Sequence, residues 1–105
     1  MIFITNETDL QFQWDEYSVQ GLYFYRTSMP FHAKMINIID QLHQKYKQTY
    51  FYAIDADYFA GSCIRFDVTS VPTLVVLKDG KEVKRLEGTV KTQDFVEIFD
   101  DICTS

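Results

Sequence analysis

The sequence predicts an α/β protein in which helices cover both faces of one mixed β-sheet. Apolar runs typical of strands alternate with segments of helical periodicity, a late turn signal joins two strands directly, and 105 residues suffice for one core. The predicted order is β-α-β-α-β-α-β-β-α, a central sheet of five strands flanked by four helices in one domain, residues 1–105. Strands separated by helices imply parallel crossovers, and the late hairpin adds an antiparallel edge.

The first half of the chain contains two strand patterns and two helix patterns. Thr8-Asp9-Leu10-Gln11 has the form of a capping box, which favours a helix start. Apolar residues spaced by three and four positions after Pro30 share one face of a second helix. The predicted elements are a strand at Met1 to Thr5, a helix from Thr8 to about Tyr17, a strand at Gln20 to Arg26 and a helix from Pro30 to Tyr46.

The second half adds three strands and two helices. The run TYFYAID is apolar at both odd and even positions, as a strand buried on both faces would be. Asp79-Gly80 signals a tight hairpin turn between the last two strands. The predicted elements are strands at Thr49 to Asp55, Thr73 to Leu77 and Glu82 to Glu87, and helices at Tyr58 to Phe66 and Thr92 to about Ile102.

Charge and hydropathy exclude several classes of function. The formal net charge is -5 and the isoelectric point is about 4.8, which argues against non-specific nucleic-acid binding and against docking on anionic membranes. No apolar run approaches the roughly 18 residues of a transmembrane helix, and the first residues lack the pattern of a signal peptide. We therefore expect a cytoplasmic protein with no nucleic-acid or membrane partner.

The cysteines and histidines do not suggest a metal or a cofactor. Cys63 and Cys103 are 40 residues apart and form no C-x-x-C motif, so neither a disulfide framework nor a zinc site is indicated. His32 and His43 lie three turns apart on one predicted helix, about 16 Å at 1.5 Å per residue, which is too far to share an ion.

Three local motifs, at fixed distances from one another, resemble the thioredoxin family. The first is YFYRTSMPFHAK, a proline-containing turn between an aromatic strand and a helix. The second is Val71-Pro72-Thr73 before a buried strand, which is similar to the family's cis-proline loop. The third is Lys78-Asp79-Gly80-Lys81 followed by Gly88. The distances of 44 residues from Ser28 to Pro72 and 16 from Pro72 to Gly88 fit a bacterial thioredoxin without gaps. The resemblance implies the thioredoxin fold.

The active-site motif of that family is altered in this sequence. Thr27-Ser28-Met29-Pro30-Phe31-His32 stands where the family has W-C-G-P-C-K, so both cysteines are absent. Disulfide exchange needs one thiolate to attack and a second thiol to resolve the mixed disulfide. By the same resemblance, Leu22 and Ala53 replace the buried aspartate and the lysine that assist proton transfer. We expect no competent disulfide oxidoreductase site.

The resemblance leaves a groove for binding, in which Val71 would pair with an added strand. The predicted function is a thioredoxin-like, non-catalytic module that binds another protein or an extended peptide segment, or a purely structural subunit, with its oligomeric state left open. An apolar patch formed by methionine, phenylalanine and proline would bury the ligand. The candidate binding residues are Thr27, Ser28, Met29, Pro30, Phe31, Val71, Pro72 and Gly88.

Several of these residues have a plainer interpretation. Ser28 has the form of a helix cap, and a role as nucleophile would need a base such as His32. Phe31 is suited to core packing, and Pro72 to the architecture of the fold alone. Asp57 is suited to capping the third predicted helix. Together with Asp55 it could also form a carboxylate pair for acid–base chemistry or for binding a cation.

Cys63 supports an alternative function, because a reactive thiol there would keep a role in cell redox homeostasis. Its plainer interpretation is a small buried hydrophobic residue. The resemblance places the helix of Cys63 and the last helix, which carries Cys103, on opposite faces of the sheet, which makes a disulfide between them geometrically unfavourable.

Overall fold

The computed structural model describes residues 2–3, 19–29, 32–46, 49–88 and 92–104. In chain order, the elements are β1 (Ile2–Phe3), β2 (Val19–Tyr25), α1 (His32–Lys45), β3 (Thr49–Asp55), α2 (Ala60–Arg65), β4 (Thr73–Lys78), β5 (Lys81–Glu87) and α3 (Thr92–Thr104). Within these ranges, no helix combines the length and the apolar character needed to cross a membrane.

The five strands form one mixed sheet in the order β1-β3-β2-β4-β5. β1 and β2 both pair with β3 in parallel, whereas β4 runs antiparallel to β2 and to β5. The turn between β4 and β5 has positive φ angles of 52° at Asp79 and 80° at Gly80. Two successive residues of this kind characterise the tight hairpin turn that this dipeptide predicts.

The structure confirms the predicted α/β class, the five-stranded mixed sheet and each element that falls on described residues. The bounds of β3 match the prediction, and the ends of the other elements lie within two residues of it. The predicted helix from Thr8 to about Tyr17 lies outside the described residues, so the count of four helices stays a prediction.

One predicted connection is wrong, because β3 and β4 are not joined by a parallel crossover. α2 has six residues and spans about 9 Å at 1.5 Å per residue. β3 has seven residues and spans about 23 Å at 3.3 Å per residue. The short helix cannot carry the chain back along the strand. The chain therefore re-enters the sheet at the edge where β3 ends, and β4 runs in the opposite direction.

Alternate side chains of the central strands build a core on each face of the sheet. The first core joins Tyr23, Phe51 and Leu74 to α1 and α3, which contribute buried residues such as Ile39 and Phe99. The second core joins Leu22, Phe24, Tyr52, Ile54, Val75 and Leu77, and it is covered by Cys63 of α2 and by the partly buried Phe59 and Phe66 at the two ends of that helix. α2 and α3 thus lie on opposite faces, as the resemblance implies. The side chain of Cys103 lies outside the described part of the chain.

Candidate functional site

The candidate site lies at the edge of the sheet where β2 and β3 end and β4 begins. Tyr25 pairs with Asp55, and Phe24 pairs with Thr73 on the other side of β2. The backbone N–H of Ala56 donates to the carbonyl of Tyr25 at 2.8 Å and continues the pairing of β2 and β3 beyond the sheet. The segments that follow β2 and β3 and the segment that precedes β4 are therefore neighbours.

The segment after β2 is a tight turn. The N–H of Met29 donates to the carbonyl of Arg26 at 3.0 Å. Thr27 and Ser28 are exposed, and Met29 is partly buried against the first core. α1 begins at His32, four residues after Ser28. Pro30 and Phe31, between the turn and the helix, lie outside the described residues, so the roles predicted for both of them, and the capping role of Ser28, stay predictions.

The segment before β4 contains a cis peptide bond between Val71 and Pro72. Both residues are partly buried. The carbonyl of Pro72 accepts a hydrogen bond from the N–H of Gly88 at 2.9 Å, and the hydroxyl of Thr73 donates to the carbonyl of Ser70 at 2.7 Å. These bonds bring Gly88 next to Pro72, two residues that the sequence placed in one candidate groove.

A cavity of about 250 Å³ opens beside this segment. Its walls include Arg26 from the turn, Ala56 from the end of β3, Cys63 and Ile64 from α2, and Val71. We call it the Cys63–Val71 cavity. It brings together the residue predicted to bind a peptide backbone, Val71, and the residue predicted as a reactive thiol, Cys63.

Other predicted neighbours are separated by the sheet. Met29 packs against the first core and Val71 against the second, so these two side chains lie on opposite faces. Leu22 and Ala53, which the resemblance places at the family's proton-transfer positions, are both buried, but Leu22 belongs to the second core and Ala53 to the first.

Two charged residues form an ion pair on the rim of the site. The Nε of Arg26 lies 2.9 Å from Oδ1 of Asp57, and the two side chains are 54% and 53% exposed. Oδ1 of Asp55 accepts a hydrogen bond from the N–H of Asp57 at 2.9 Å. The predicted capping role of Asp57 is wrong. The cap position of α2 is Phe59, where no side chain bonds to the helix, because the chain turns two residues further before the helix begins.

Tyr23 and Tyr25, on β2 just before the turn, were not among the predicted site residues. Their spacing of two residues on a strand places them on one face and could have indicated them. The rings of Tyr23 and Tyr25 stack with centroids 5.8 Å apart. Burial and then the neighbouring phenol of Tyr25 raise the pKa of Tyr23 to about 12. Burial and then Asp55 raise the pKa of Tyr25. Both phenols keep their protons near neutral pH and are not bases there.

The site offers two kinds of nucleophile, the hydroxyl of Ser28 and the thiol of Cys63. A serine needs a neighbouring base, and the side chain of His32 lies outside the described part. The ring of His43 lies elsewhere, with Nδ1 3.0 Å from the carbonyl of Thr49 at the opposite end of β3. Among the described residues, no group of three His, Cys, Asp or Glu side chains is placed to hold a metal ion.

Comparisons with known proteins agree with this architecture. Residues 22–101 match the sequence model of the family described as Thioredoxin. Glutaredoxin 3 of Danio rerio is 28% identical over 94 residues, which are 84% of this chain and 28% of that protein. Thioredoxin-1 of Saccharomyces cerevisiae is 35% identical over 57 residues, 53% of this chain and 55% of that protein.

The fold is shared with solved structures as well. The crystal structure of thioredoxin from Trypanosoma brucei brucei superposes with a TM-score of 0.88 at 13% identity, covering 100% of this chain and 92% of that one. This chain spans 28% and 55% of the length of the two curated relatives named above.

Proposed function

Because this chain belongs to the thioredoxin family, we propose that it binds an extended segment of another protein without catalysing dithiol–disulfide exchange. The family resemblance seen in the sequence is confirmed by the family match and the fold. The observation that carries the proposal is the turn after β2, where the exposed Ser28 occupies the family's position for the attacking thiol.

The chemistry of the turn supports the absence of exchange. The two cysteines of the chain are Cys63 and Cys103, and neither lies within thirty residues of Ser28. A serine hydroxyl forms no thiolate near neutral pH and cannot form a mixed disulfide. Leu22 and Ala53 carry no ionisable group, so they cannot move the proton that a resolving thiol would give up.

The retained groove supports binding. Val71 lies two residues before β4, so its backbone is outside the ladder that pairs β4 with β2. An extended segment of another protein could pair with that backbone as an added strand. The Cys63–Val71 cavity beside it offers space for one apolar side chain of the ligand. Ile64 on its wall is 81% exposed, and Tyr58 nearby in sequence is 80% exposed, which adds apolar surface for a partner.

A peptide titration tests the proposal. Peptides selected from a displayed random library would be titrated into ¹⁵N-labelled protein, with a scrambled peptide as control. We expect shifts of the amide resonances of Ser70, Val71 and Met29. Val71→Ala would weaken binding, whereas Val83→Ala, on the exposed strand β5, would not. A library that yields no ligand, or ligands that shift only resonances elsewhere, would refute the proposed function.

A second candidate function is favoured by the position of Cys63. Its side chain is partly buried and lines the same cavity as Val71, so its thiolate could attack a disulfide of a ligand in the groove, form a mixed disulfide and release the other ligand sulfur as a thiolate. In that case the protein would act in redox homeostasis through one thiol. Native-state labelling separates the two functions, because a thiol that reacts quickly only after unfolding cannot serve this role.

A further inference from the structure

On strand β5, the side chain of Arg85 contacts the segment that follows α2 and leads to the Cys63–Val71 cavity. The guanidinium of Arg85 binds Glu82 through two contacts, Nε to Oε2 at 3.2 Å and Nη2 to Oε1 at 2.7 Å. It also donates from Nη1 to the carbonyl of Asp67 at 3.0 Å and from Nη2 to the carbonyl of Phe66. One side chain therefore joins β5 to the end of α2.

A β-bulge makes this arrangement possible. Residues three apart on a regular strand point to opposite faces, yet Glu82 and Arg85 must share one face to pair. The register shifts between Val76, which pairs with Lys84, and Leu77, which pairs with Glu82, so Val83 is the extra residue. The extra residue shifts the alternation of side chains along β5 by one position, so Glu82 and Arg85 lie on the same face. It places Glu82 opposite Leu77 and Arg85 opposite Val75, both on the side of the second core.

The segment held by Arg85 leads directly into one wall of the Cys63–Val71 cavity, which begins at Val68. At the end of α2, the N–H of Val68 donates to the carbonyl of Cys63 at 2.8 Å, and the N–H of Asp67 donates to that of Ile64 at 3.2 Å. Asp67 has a φ of 55°, and the chain changes direction there. Val68 lines the cavity itself, and Thr69 lines both the cavity and the shallow depression that contains Arg85.

We propose that Arg85 is a positioning residue for the Cys63–Val71 cavity, because its bonds to Phe66 and Asp67 fix the segment 66–69, of which Val68 and Thr69 line the cavity. Hydrogen bonds from a charged donor are stronger than neutral ones, and the bond to Phe66 is partly buried. The pairing with Glu82 orients the guanidinium fork toward those carbonyls. Removal of Arg85 opens this wall locally, exposes the thiol of Cys63 and leaves the first core intact.

The inference rests on the proposed function for its biological meaning. If the protein binds a peptide, a fixed wall keeps the groove in a shape ready for binding. The experiment contains no peptide, so its outcome is independent of whether a ligand is found. It measures amide hydrogen exchange at Val68 by NMR and alkylation of Cys63 by iodoacetamide in a Cys103→Ser background.

Four variants make the experiment specific. Arg85→Met removes every donor while keeping much of the aliphatic stem. Arg85→Lys keeps the charge but lacks the planar fork that can bind two carbonyls and a carboxylate together. Lys84→Met changes the adjacent residue of β5, which is exposed. Tyr46→Phe removes a hydrogen bond to α3 on the opposite face, and so lowers global stability without touching this wall.

The expected result is specific to the wall of the cavity. In Arg85→Met, exchange at Val68 and alkylation of Cys63 both accelerate about tenfold, in line with the loss of charged hydrogen bonds. Arg85→Lys retains part of the protection that Arg85→Met loses. In Lys84→Met and Tyr46→Phe, neither rate rises by more than the change in the free energy of global unfolding accounts for. Unchanged rates in Arg85→Met would overturn the proposal. Equal acceleration at amides of the first core would also overturn it, because it would show a general loss of stability.

Discussion

Cys63 and Val71 line the same cavity of about 250 Å³, although Cys63 lies on α2 and Val71 precedes β4. The two functions considered for this chain therefore use one surface. A peptide that pairs with Val71 would bring its own side chains to the thiol. Substitution of the thiol separates a site that only binds from a site that also reacts.

The first prediction concerns Cys63→Ser. If binding depends on the groove and not on a thiol, the dissociation constant of a selected peptide changes by less than about threefold, as expected for a small polar exchange at a partly buried position. A fluorescence titration without added reductant measures it, with Cys103→Ser as the control. Binding that is abolished in Cys63→Ser alone would favour the single-thiol function.

The second prediction concerns the close contact between two paired residues, Gly21 on β2 and Phe51 on β3. A β-carbon on Gly21 would lie 2.6 Å from Cδ1 and 2.8 Å from Cε1 of the fully buried ring. Gly21→Ala should lower the free energy of unfolding by about 1 to 3 kcal/mol through overpacking. Urea denaturation measures it. The added substitution Phe51→Leu should recover part of the loss, and additive losses would contradict the account.

The third prediction concerns the buried phenol of Tyr23. Its oxygen has no hydrogen-bond partner among the described residues, and the side chain is fully buried. Tyr23→Phe should raise the free energy of unfolding by about 1 kcal/mol at neutral pH, because an unsatisfied hydroxyl is no longer buried. Tyr25→Phe serves as the control. A clear loss of stability in Tyr23→Phe would reveal a hydrogen bond that the described residues do not supply.

The fourth prediction concerns the same phenol at alkaline pH. The pKa of Tyr23 rises from 10.0 to about 12 on folding, so the unfolded chain loses this proton first. The free energy of unfolding is therefore unaffected by this proton below pH 10. It falls as the pH rises toward 12, by about 1.4 kcal/mol per pH unit. Urea denaturation between these pH values should show a shallower decline in Tyr23→Phe. Equal declines in the two proteins would contradict the prediction.

The fifth prediction compares the two aspartates after β3. Asp57 is exposed and pairs with Arg26, so Asp57→Ala should change the free energy of unfolding by less than about 0.5 kcal/mol. Asp55 is buried, and its carboxylate accepts the N–H of Asp57, so Asp55→Ala should cost about 1 to 3 kcal/mol. Urea denaturation compares them. An equal or larger cost for Asp57→Ala would contradict the prediction.

Local patterns in the sequence predicted the elements well. Alternating apolar residues, helical spacing and the Asp79-Gly80 turn depend on neighbouring residues alone, and the structure follows them. The direction of β4 depends instead on how short α2 is relative to β3, and so does not follow from alternation of strands and helices.

The candidate site was predicted only in part, for a related reason. The turn at Ser28 and the loop at Val71 carry motifs that can be read locally. The reach of Arg85 to Phe66 depends on a bulge at Val83, and no glycine or proline marks that bulge in the sequence. The shared cavity of Cys63 and Val71 similarly depends on how α2 packs on the sheet.

The most direct test of the central claim is insulin reduction with dithiothreitol. The assay compares the wild type with a Cys63→Ala/Cys103→Ala variant and with a blank that contains no protein. A protein that binds without dithiol–disulfide exchange reduces insulin at the rate of the blank. A rate above the blank that disappears in the double variant would contradict the claim and would assign the chemistry to Cys63 or Cys103.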